Sequence, residues 1–191
     1  MNPVDNLTTL EQIDAWVWDQ FVRAPHDRQS AFKWPLLSTV GEEGVPQARI
    51  VVLRAIDREA RHVDIYTDGR STKVKELSES PQAALTYFDQ RHMVQVRTRG
   101  RAALIIDGAE RDCALAALTM RGRRDYATTT APGSALTEPG VTYEDQLADD
   151  HFCIIRLAID MIDWLSLSRS GHRRAVFDYR QSPIARGWRV P

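Results

Sequence analysis

Residues 66–77, YTDGRSTKVKEL, lead from the end of a strand directly into an amphipathic helix. The run HVDIYT alternates apolar and polar positions, which is typical of a β-strand. The letters DG are a turn signal, and Ser71 or Thr72 can cap the helix that follows. We therefore predict a helix over residues 72–79 that begins where a strand ends.

The turn that opens this helix carries several groups that bind anions. Arg70 and Lys73 bring positive charge, and the free N–H groups at the start of a helix attract negative charge. Ser71 and Thr72 add hydroxyl donors. These features favour a phosphate site. The same residues also fit a capped surface helix with solvated cations, and this stretch alone leaves both interpretations open.

Strand-like runs dominate the chain around this turn. In order they are AFKWPLLSTV, PQARIVVLRAI, HVDIYT, AALTYFD and MVQVRTRGRAALI. Short turns join most of them, and short turns favour antiparallel neighbours. Farther along, FCIIRLAIDMIDWLSLS predicts one or two more strands, and a basic tail begins at GHRR. The sheet is therefore expected to contain six or seven antiparallel strands.

Three further segments are predicted to be helical. Thr9 and Gln12 match a capping box, and apolar residues then recur at helical spacing as far as Ala24. The Ala- and Leu-rich residues 108–120 and the short run TYEDQLADD predict two more helices, separated by a polar loop. Strands flanked by such helices predict an α+β fold, an antiparallel β-barrel with peripheral helices.

Composition limits the classes of function. The 191 residues suit a single domain over 1–191, and 25 Lys and Arg residues against 26 Asp and Glu residues give a net charge of −1. This balance disfavours nucleic-acid binding, for which the only candidate patch is RGRR at residues 121–124. No apolar run approaches the roughly 20 residues that cross a bilayer, and the first residues lack a signal-peptide pattern. We expect a cytoplasmic protein with no membrane partner.

Motifs for metals, nucleotides and nucleophiles are missing from the sequence. The five histidines show neither HxxxH nor HExxH spacing, so no metal site is predicted. The patterns GxGxxG, GxxxxGK[ST] and GxSxG do not occur. Cys113 and Cys153 lie in different apolar segments, and we expect two buried free thiols.

Two strand segments carry polar residues that a barrel core does not require. In ARIVVLR, Arg49 and Arg54 bracket four apolar residues, so each cation either reaches water or meets an anion. In MVQVRTRG, Gln95 shares a strand face with Arg97, and valines occupy the opposite face.

The order of these motifs resembles a known family. ARIVVLR, then YT, then STK opening a helix that ends ELSESP, then QVRTRGRA are similar in order and spacing to the pyridoxamine 5'-phosphate oxidase-like family of FMN-binding split barrels. The oxidase-related branch of that family is the most similar. The resemblance runs from about Trp34 to Ala102 and resumes at IDWLSLSRSGHRR, where Trp164, His172 and Arg174 match a Trp…His-x-Arg ending.

This resemblance implies an antiparallel split β-barrel and a homodimer that binds FMN in clefts at the subunit interface. Arg49 and Lys73 would hold the FMN phosphate, with help from Thr72 and Ser71. One strand and the residues YT would line the isoalloxazine ring and the ribityl chain, and three later residues would complete the pocket. In sequence order, these flavin contacts are Val51, Val52, Leu53, Arg54, Tyr66 and Thr67, and then Gln95, Trp164 and Arg174.

The chain departs from the family's vitamin B6 oxidases where they bind substrate. Ser170 stands where they carry an Arg, Arg54 stands where they carry a Lys, and residues 121–134 do not align with their substrate-phosphate loop. We therefore predict an FMN-dependent oxidoreductase that acts on another small substrate. Two alternatives stay open: a true pyridoxamine or pyridoxine 5'-phosphate oxidase, which reduces O₂ to H₂O₂, and a non-catalytic protein that binds flavin or haem.

Two residues are candidates for catalysis. The imidazole of His172 can exchange a proton near neutral pH. Arg54 can stabilise negative charge on a reduced flavin. A structural role for His172 is an equally open interpretation.

Overall fold

The computed structural model describes residues 3–144, 147–169 and 171–191. These residues form nine strands and five α-helices, with short 3-10 helices at Pro3–Asn6 and Glu42–Gly44. The strands are β1 (Leu36–Val40), β2 (Pro46–Ile50), β3 (Leu53–Asp57), β4 (His62–Asp68), β5 (Gln82–Asp89), β6 (Val94–Ile105), β7 (Phe152–Ser166), β8 (Arg173–Asp178) and β9 (Ala185–Arg189). The helices are α1 (Leu10–Arg23), α2 (Thr72–Glu79), α3 (Ala109–Ala116), α4 (Met120–Arg124) and α5 (Leu147–His151).

The strands belong to one antiparallel sheet. Its main path is β2-β1-β5-β6-β7-β4-β3, and β8 pairs with β7 and β9. The 15-residue strand β7 pairs with β4 through its first half and with β8 through its second half. Antiparallel pairing confirms the expectation from the short turns, and the fold is α+β as predicted.

Hydrogen bonds outside the ladders bring the two ends of the sheet together. The N–H group of Val51 donates to the carbonyl of Pro35, and that of Leu53 donates to the carbonyl of Lys33. Each of these bonds is 3.0 Å long. The residues between β2 and β3 thus meet the segment before β1, which closes the sheet as in a barrel. The prediction of one strand over PQARIVVLRAI was therefore wrong, because the chain leaves one ladder and enters another at this point.

The core lies between the inner face of the sheet and α1. This helix begins with the predicted capping box, in which Thr9 Oγ1 accepts a bond from the Gln12 N–H at 3.2 Å. On its inner side, Phe21 packs against Tyr87 of β5 with ring centroids 4.9 Å apart. Because a helix of this length is marginal alone, burial of its apolar face supplies most of its stability. The buried residues of that face are Ile13, Val17, Trp18 and Phe21.

The helix α2 matches its predicted bounds and ends before Pro81 as expected. Val74 and Leu77 are buried in the main core, which holds the helix against the sheet. This packing fixes the position of the turn at the start of α2 relative to β4.

A bulge interrupts the pairing of β6 with β7. Arg99 pairs with Met161, whereas the next residue, Gly100, pairs with Ile159. A Cβ built on Gly100 would lie 1.7 Å from the carbonyl oxygen of Ala158. Only glycine permits such a close approach of two backbones.

Several sequence expectations are corrected by the structure. The basic tail forms the strands β8 and β9, in which Ala175 and Phe177 are fully buried, so the sheet is larger than expected. The helix predicted over residues 108–120 ends earlier, and part of the predicted polar loop forms α4. Both cysteines are free thiols, but Cys113 is exposed and only Cys153 is buried. No helix in the described part of the chain is long and apolar enough to cross a membrane.

Candidate functional site

Three polar side chains, Thr67, Ser71 and Lys73, meet at the start of α2, and the charge of Arg49 acts on Lys73. We call Arg49, Thr67, Ser71 and Lys73 the inner cluster. In the β1–β2 ladder, Arg49 lies opposite the fully buried Leu37, which places Arg49 on the inner face. Lys73 Nζ donates to Thr67 Oγ1 at 2.9 Å, and Thr67 Oγ1 lies 3.3 Å from Ser71 Oγ. The sequence prediction placed Ser71 and Lys73 at the phosphate and Thr67 along the flavin, and these assignments stay predictions.

The inner cluster has an excess of positive charge. Burial lowers the pKa of Lys73, and the neighbouring Arg49 charge lowers it further, while Asp68 and Glu76 oppose the shift. Among the described residues, no carboxylate lies within ion-pair distance of the Lys73 ammonium, which donates to the neutral hydroxyl of Thr67. A bound anion would relieve both the burial cost and the repulsion between the two cations.

Arg49 is held by two residues that the sequence reasoning missed. Its guanidinium donates to Thr39 Oγ1 and, at 2.7 Å, to Glu76 Oε2. Thr39 Oγ1 in turn donates to Glu76 Oε2 at 2.5 Å. Spacing offered a signal for both residues, since Glu76 follows Lys73 by one helical turn and Thr39 alternates with the core residue Leu37.

Arg70 does not join the inner cluster, which corrects the expectation that it adds charge to the anion site. Its guanidinium pairs with Asp68 at 2.7 Å and donates to the carbonyl oxygens of Thr128 at 2.7 Å and Thr129 at 3.3 Å. Arg70 therefore ties the loop after α4 to the turn before α2. Thr72 is exposed at the same helix start.

The stretch from Val51 to Arg54 presents a mixed surface. Val51 is nearly buried, Val52 is partly exposed, and Leu53 is fully buried in the main core. Leu53 can therefore offer a ligand its backbone but not its side chain. Tyr66 is partly exposed, and its ring lies edge-on to Phe152 with centroids 5.0 Å apart.

Arg54 occupies a bulge between β3 and β4. Leu53 pairs with Ile65 and Ala55 pairs with Asp64, so Arg54 is the additional residue. Its Nε is buried and has no hydrogen-bond partner within the described part of the chain.

The bulge directs Arg54 towards Tyr126, which the sequence reasoning could not place. Burial raises the pKa of Tyr126, and the charge of Arg54 together with a hydrogen bond from it opposes the rise. The loop after α4 thus meets the end of the stretch from Val51 to Arg54.

A second polar group lies on the opposite face of the sheet. We call Gln95, Arg97, Asp163 and Arg174 the outer cluster. Gln95 and Arg174 both pair with Leu165 in their ladders, so all three share one face. Arg174 donates to Asp163 through Nε at 2.9 Å and through a terminal nitrogen at 2.7 Å, and Arg97 bonds to the same carboxylate.

The charges of the outer cluster are largely paired. Burial alone would raise the pKa of Asp163, but the hydrogen bonds and charges of Arg174 and Arg97 outweigh burial and lower it. Asp163 therefore stays ionised and holds both guanidinium groups in place.

Trp164 does not belong to either cluster. It pairs with Val96 and Ala175, has no exposed surface and lies in the main core. Because neighbouring residues in a strand point to opposite faces, its side chain faces away from Gln95 and Arg174. The expectation that Trp164 lines the flavin pocket is thereby corrected for this chain.

The two remaining expectations concern the turn between β7 and β8. His172 is exposed there, two residues before Arg174. Ser170 lies outside the described residues.

Comparison with known proteins agrees with the fold. The family described as "Pyridoxamine 5'-phosphate oxidase, FMN-binding domain" matches residues 15–106. Pyridoxine/pyridoxamine 5'-phosphate oxidase 2 of Arabidopsis thaliana is 28% identical over 144 residues, which are 69% of this chain and 72% of that protein. Bacterial relatives that carry the same enzyme name are matched over only 34% to 46% of their length, so the chain spans less than half of each.

Two solved structures are similar over nearly the whole chain. A pyridoxamine 5'-phosphate oxidase-related, FMN-binding protein from Nostoc punctiforme PCC 73102 has a TM-score of 0.76 at 19% identity, with 92% of this chain and 96% of that chain covered. PhzG from Burkholderia lata 383, in complex with tetrahydrophenazine-1-carboxylic acid, has a TM-score of 0.68 at 19% identity, with 95% and 90% covered. At these identities, the likeness shows the fold alone.

The architecture is that of the split-barrel proteins. Residues 15–106 match the FMN-binding domain of the pyridoxamine 5'-phosphate oxidase family. The inner cluster suits this cofactor, because a phosphate monoester carries about −1.5 to −2 charges at neutral pH and is best held by cations and hydroxyl donors.

Proposed function

We propose that this protein is an FMN-dependent oxidoreductase that acts on a small molecule as a homodimer. The observation that carries the proposal is the partly buried, positively charged inner cluster at the start of α2, in which Lys73 has no carboxylate within ion-pair distance among the described residues. In the proposal, Arg49 and Lys73 bind the FMN phosphate, and Thr67, Ser71 and Thr72 supply hydroxyl groups. When bound, FMN supplies hydride or electron transfer at its isoalloxazine ring.

In the proposal, the stretch from Val51 to Arg54 lines the site between the FMN phosphate and the isoalloxazine ring. Val51 and Val52 offer apolar surface, and Leu53 contributes its backbone. Arg54, with an unpartnered Nε, would stabilise negative charge at the far end of the site, beside Tyr66 and Tyr126.

The positions of the two clusters support the proposal of a homodimer. The inner cluster and the outer cluster lie on opposite faces of the sheet, so one bound flavin cannot contact both clusters of the same chain. If Gln95 and Arg174 contact the flavin, they come from a second copy. A symmetric dimer would then contain two equivalent sites, each built from the inner cluster of one chain and the outer cluster of the other.

His172 is the proposed proton-exchanging residue. It is exposed on the turn that leads into Arg174, so the same second copy would bring it to the site. Its imidazole would give a proton to, or accept one from, the substrate. A single domain over residues 1–191 and a cytoplasmic location stay predictions.

The visible absorption spectrum of the purified protein tests the cofactor first. Flavin bands after purification, or after addition of FMN and removal of the excess, support the proposal. Anaerobic titration with pyridoxamine 5'-phosphate, NADH and NADPH then tests the activity, because the reductant that bleaches the flavin identifies the substrate class. A colourless protein that takes up no FMN overturns the proposal. A flavin that no reductant bleaches favours a non-catalytic binding protein.

A further inference from the structure

Glu76 is a buried carboxylate in contact with the proposed phosphate site. It is only 5% exposed and lies on α2, one helical turn after Lys73. Its Oε2 accepts bonds from Arg49 at 2.7 Å and from Thr39 at 2.5 Å, and Arg49 also donates to Thr39. The three side chains therefore form a closed ring of hydrogen bonds that joins β1, β2 and α2.

This ring changes the charge that an incoming phosphate meets. Arg49 and Lys73 together bring two positive charges, but Glu76 removes one of them by its ion pair with Arg49. A phosphate that brings about −1.5 to −2 charges would lie beside this carboxylate, and like charges repel strongly where water is excluded. The phosphate must also share or replace the bond that Arg49 makes with Glu76.

The same ring satisfies Arg49 when no phosphate is bound. Arg49 is partly buried, and a guanidinium in such a place without a partner would destabilise the fold; Glu76 provides that partner from within the chain. The site is thus partly neutralised without a ligand, so both the empty and the occupied site are accessible to a folded protein.

We propose that Glu76 competes with phosphate for Arg49 and thereby makes the flavin an exchangeable ligand that the protein binds and releases. This inference rests on the proposed function, because it assumes that the inner cluster holds the FMN phosphate. Glu76 is a positioning residue in this scheme. It sets the position and available charge of Arg49 and does not take part in chemistry at the isoalloxazine ring.

The substitution Glu76→Gln tests the competition. Glutamine has nearly the same shape and keeps an oxygen that accepts bonds from Arg49 and Thr39, but it lacks the negative charge. The affinities of the purified wild-type and variant proteins for FMN and for riboflavin, which lacks the phosphate, are measured by fluorescence titration. We expect FMN to bind about tenfold more tightly to E76Q and to dissociate about tenfold more slowly, with riboflavin affinity unchanged within about twofold.

The matched control is Glu79→Gln. Glu79 lies on the same helix, and its only described ion pair is an exposed contact with Lys75 at 4.0 Å. Because it does not touch Arg49, E79Q should bind both ligands as the wild type does. If E76Q does not fold, Glu76→Asp replaces it. The shorter carboxylate loosens the bond to Arg49, and the preference for FMN over riboflavin should rise by a smaller factor.

The possible outcomes separate this inference from the proposed function. If the wild type binds FMN and E76Q binds it equally or more weakly, the competition is overturned and the proposed function stands. If E76Q tightens FMN and riboflavin by the same factor, the effect does not act through the phosphate, and the inference is again overturned. If neither protein binds FMN, both proposals fail. Binding of FMN by E76Q alone would support the competition in its strongest form.

Discussion

The inner and outer clusters each contain two cations but hold them in different ways. In the outer cluster, the carboxylate of Asp163 holds Arg97 and Arg174 on an accessible face of the sheet. In the inner cluster, two partly buried cations lie near each other, and one of them, Lys73, has a hydroxyl but no carboxylate as a polar partner among the described residues. A cation that is buried without its counter-charge marks a place for an anion, whereas a paired cation on a surface is held in a fixed orientation.

This difference indicates different roles for the two clusters: the inner cluster suits binding of an anion, and the outer cluster holds its donors in place. In the inner cluster, Lys73 has no carboxylate within ion-pair distance among the described residues, so an anion can bind there. In the outer cluster, both guanidinium groups bond to the carboxylate of Asp163, which fixes their positions. The comparison therefore predicts that the two clusters respond differently to the same kinds of substitution.

The largest effect is expected from a change that disrupts the sheet beneath both clusters. Gly100→Ala places a methyl group 1.7 Å from the carbonyl oxygen of Ala158, so β6 and β7 must separate. We expect the free energy of unfolding to fall by at least about 3 kcal/mol, measured by urea denaturation. Gly122→Ala in α4 is the control, because its nearest contact would be an ordinary 3.4 Å to Thr119 Oγ1. Equal stability of G100A and the wild type would contradict the described bulge.

The next effect concerns the inner cluster alone. The double substitution Arg49→Ala and Lys73→Ala removes both cations, and we expect FMN affinity to fall at least about a hundredfold. Fluorescence titration gives the affinity, and circular dichroism checks that the fold is intact. Lys75→Ala on the exposed side of α2 should leave FMN affinity unchanged. A double variant that retains FMN like the wild type would refute the phosphate assignment.

A smaller effect is expected from the outer cluster, and it tests the second copy. Arg174→Ala should weaken FMN binding about tenfold, because one charge-assisted contact is lost. Mixing this variant with the R49A/K73A double variant, followed by unfolding and refolding together, should restore wild-type affinity to about one site in four, since only mixed dimers contain an intact site. No restoration, in a mixture shown to form mixed dimers, would show that the two clusters do not serve one site.

The smallest effect is a pH dependence of stability in the outer cluster. The pKa of Asp163 is lower in the folded protein than its ordinary value, so its contribution to stability is complete above the ordinary range and is lost as pH falls through the folded value. We expect Asp163→Asn to cost about 1 kcal/mol at pH 7. The difference between wild type and D163N should shrink towards pH 3 in urea denaturation. A constant difference across this range would argue against the paired carboxylate.

Local patterns predicted most of the fold and one half of the site. The capping box at Thr9 and the turn before Thr72 gave correct helices because their signals lie within a few neighbouring residues. The strand over PQARIVVLRAI was wrong because the pairing partner changes along it, from β1 for β2 to β4 for β3. No local pattern encodes such a change of partner.

The rest of the site depended on tertiary pairing. In the sequence, Arg70 and Lys73 are both cations at the start of α2 and are equally good candidates for the anion site. Only the folded chain shows that Arg70 bonds to Asp68 and to the loop after α4. Trp164 matched a family motif by residue type and spacing. Its pairing with Val96 nevertheless places its side chain on the core side of the sheet, where it is fully buried. Glu76 was missed because a carboxylate on an amphipathic helix is usually solvated, and its burial follows from the packing of α2 on β1.

The hydrogen bonds of Arg70 couple two parts of the chain that are distant in sequence. A single guanidinium joins Asp68, at the end of β4, to the carbonyls of Thr128 and Thr129 beyond α4. The loop cannot swing outward without breaking these bonds or pulling on the start of α2. Ordering of that helix start by a ligand would therefore slow amide hydrogen exchange in a segment more than fifty residues away along the chain, even where no atom of the segment touches the ligand.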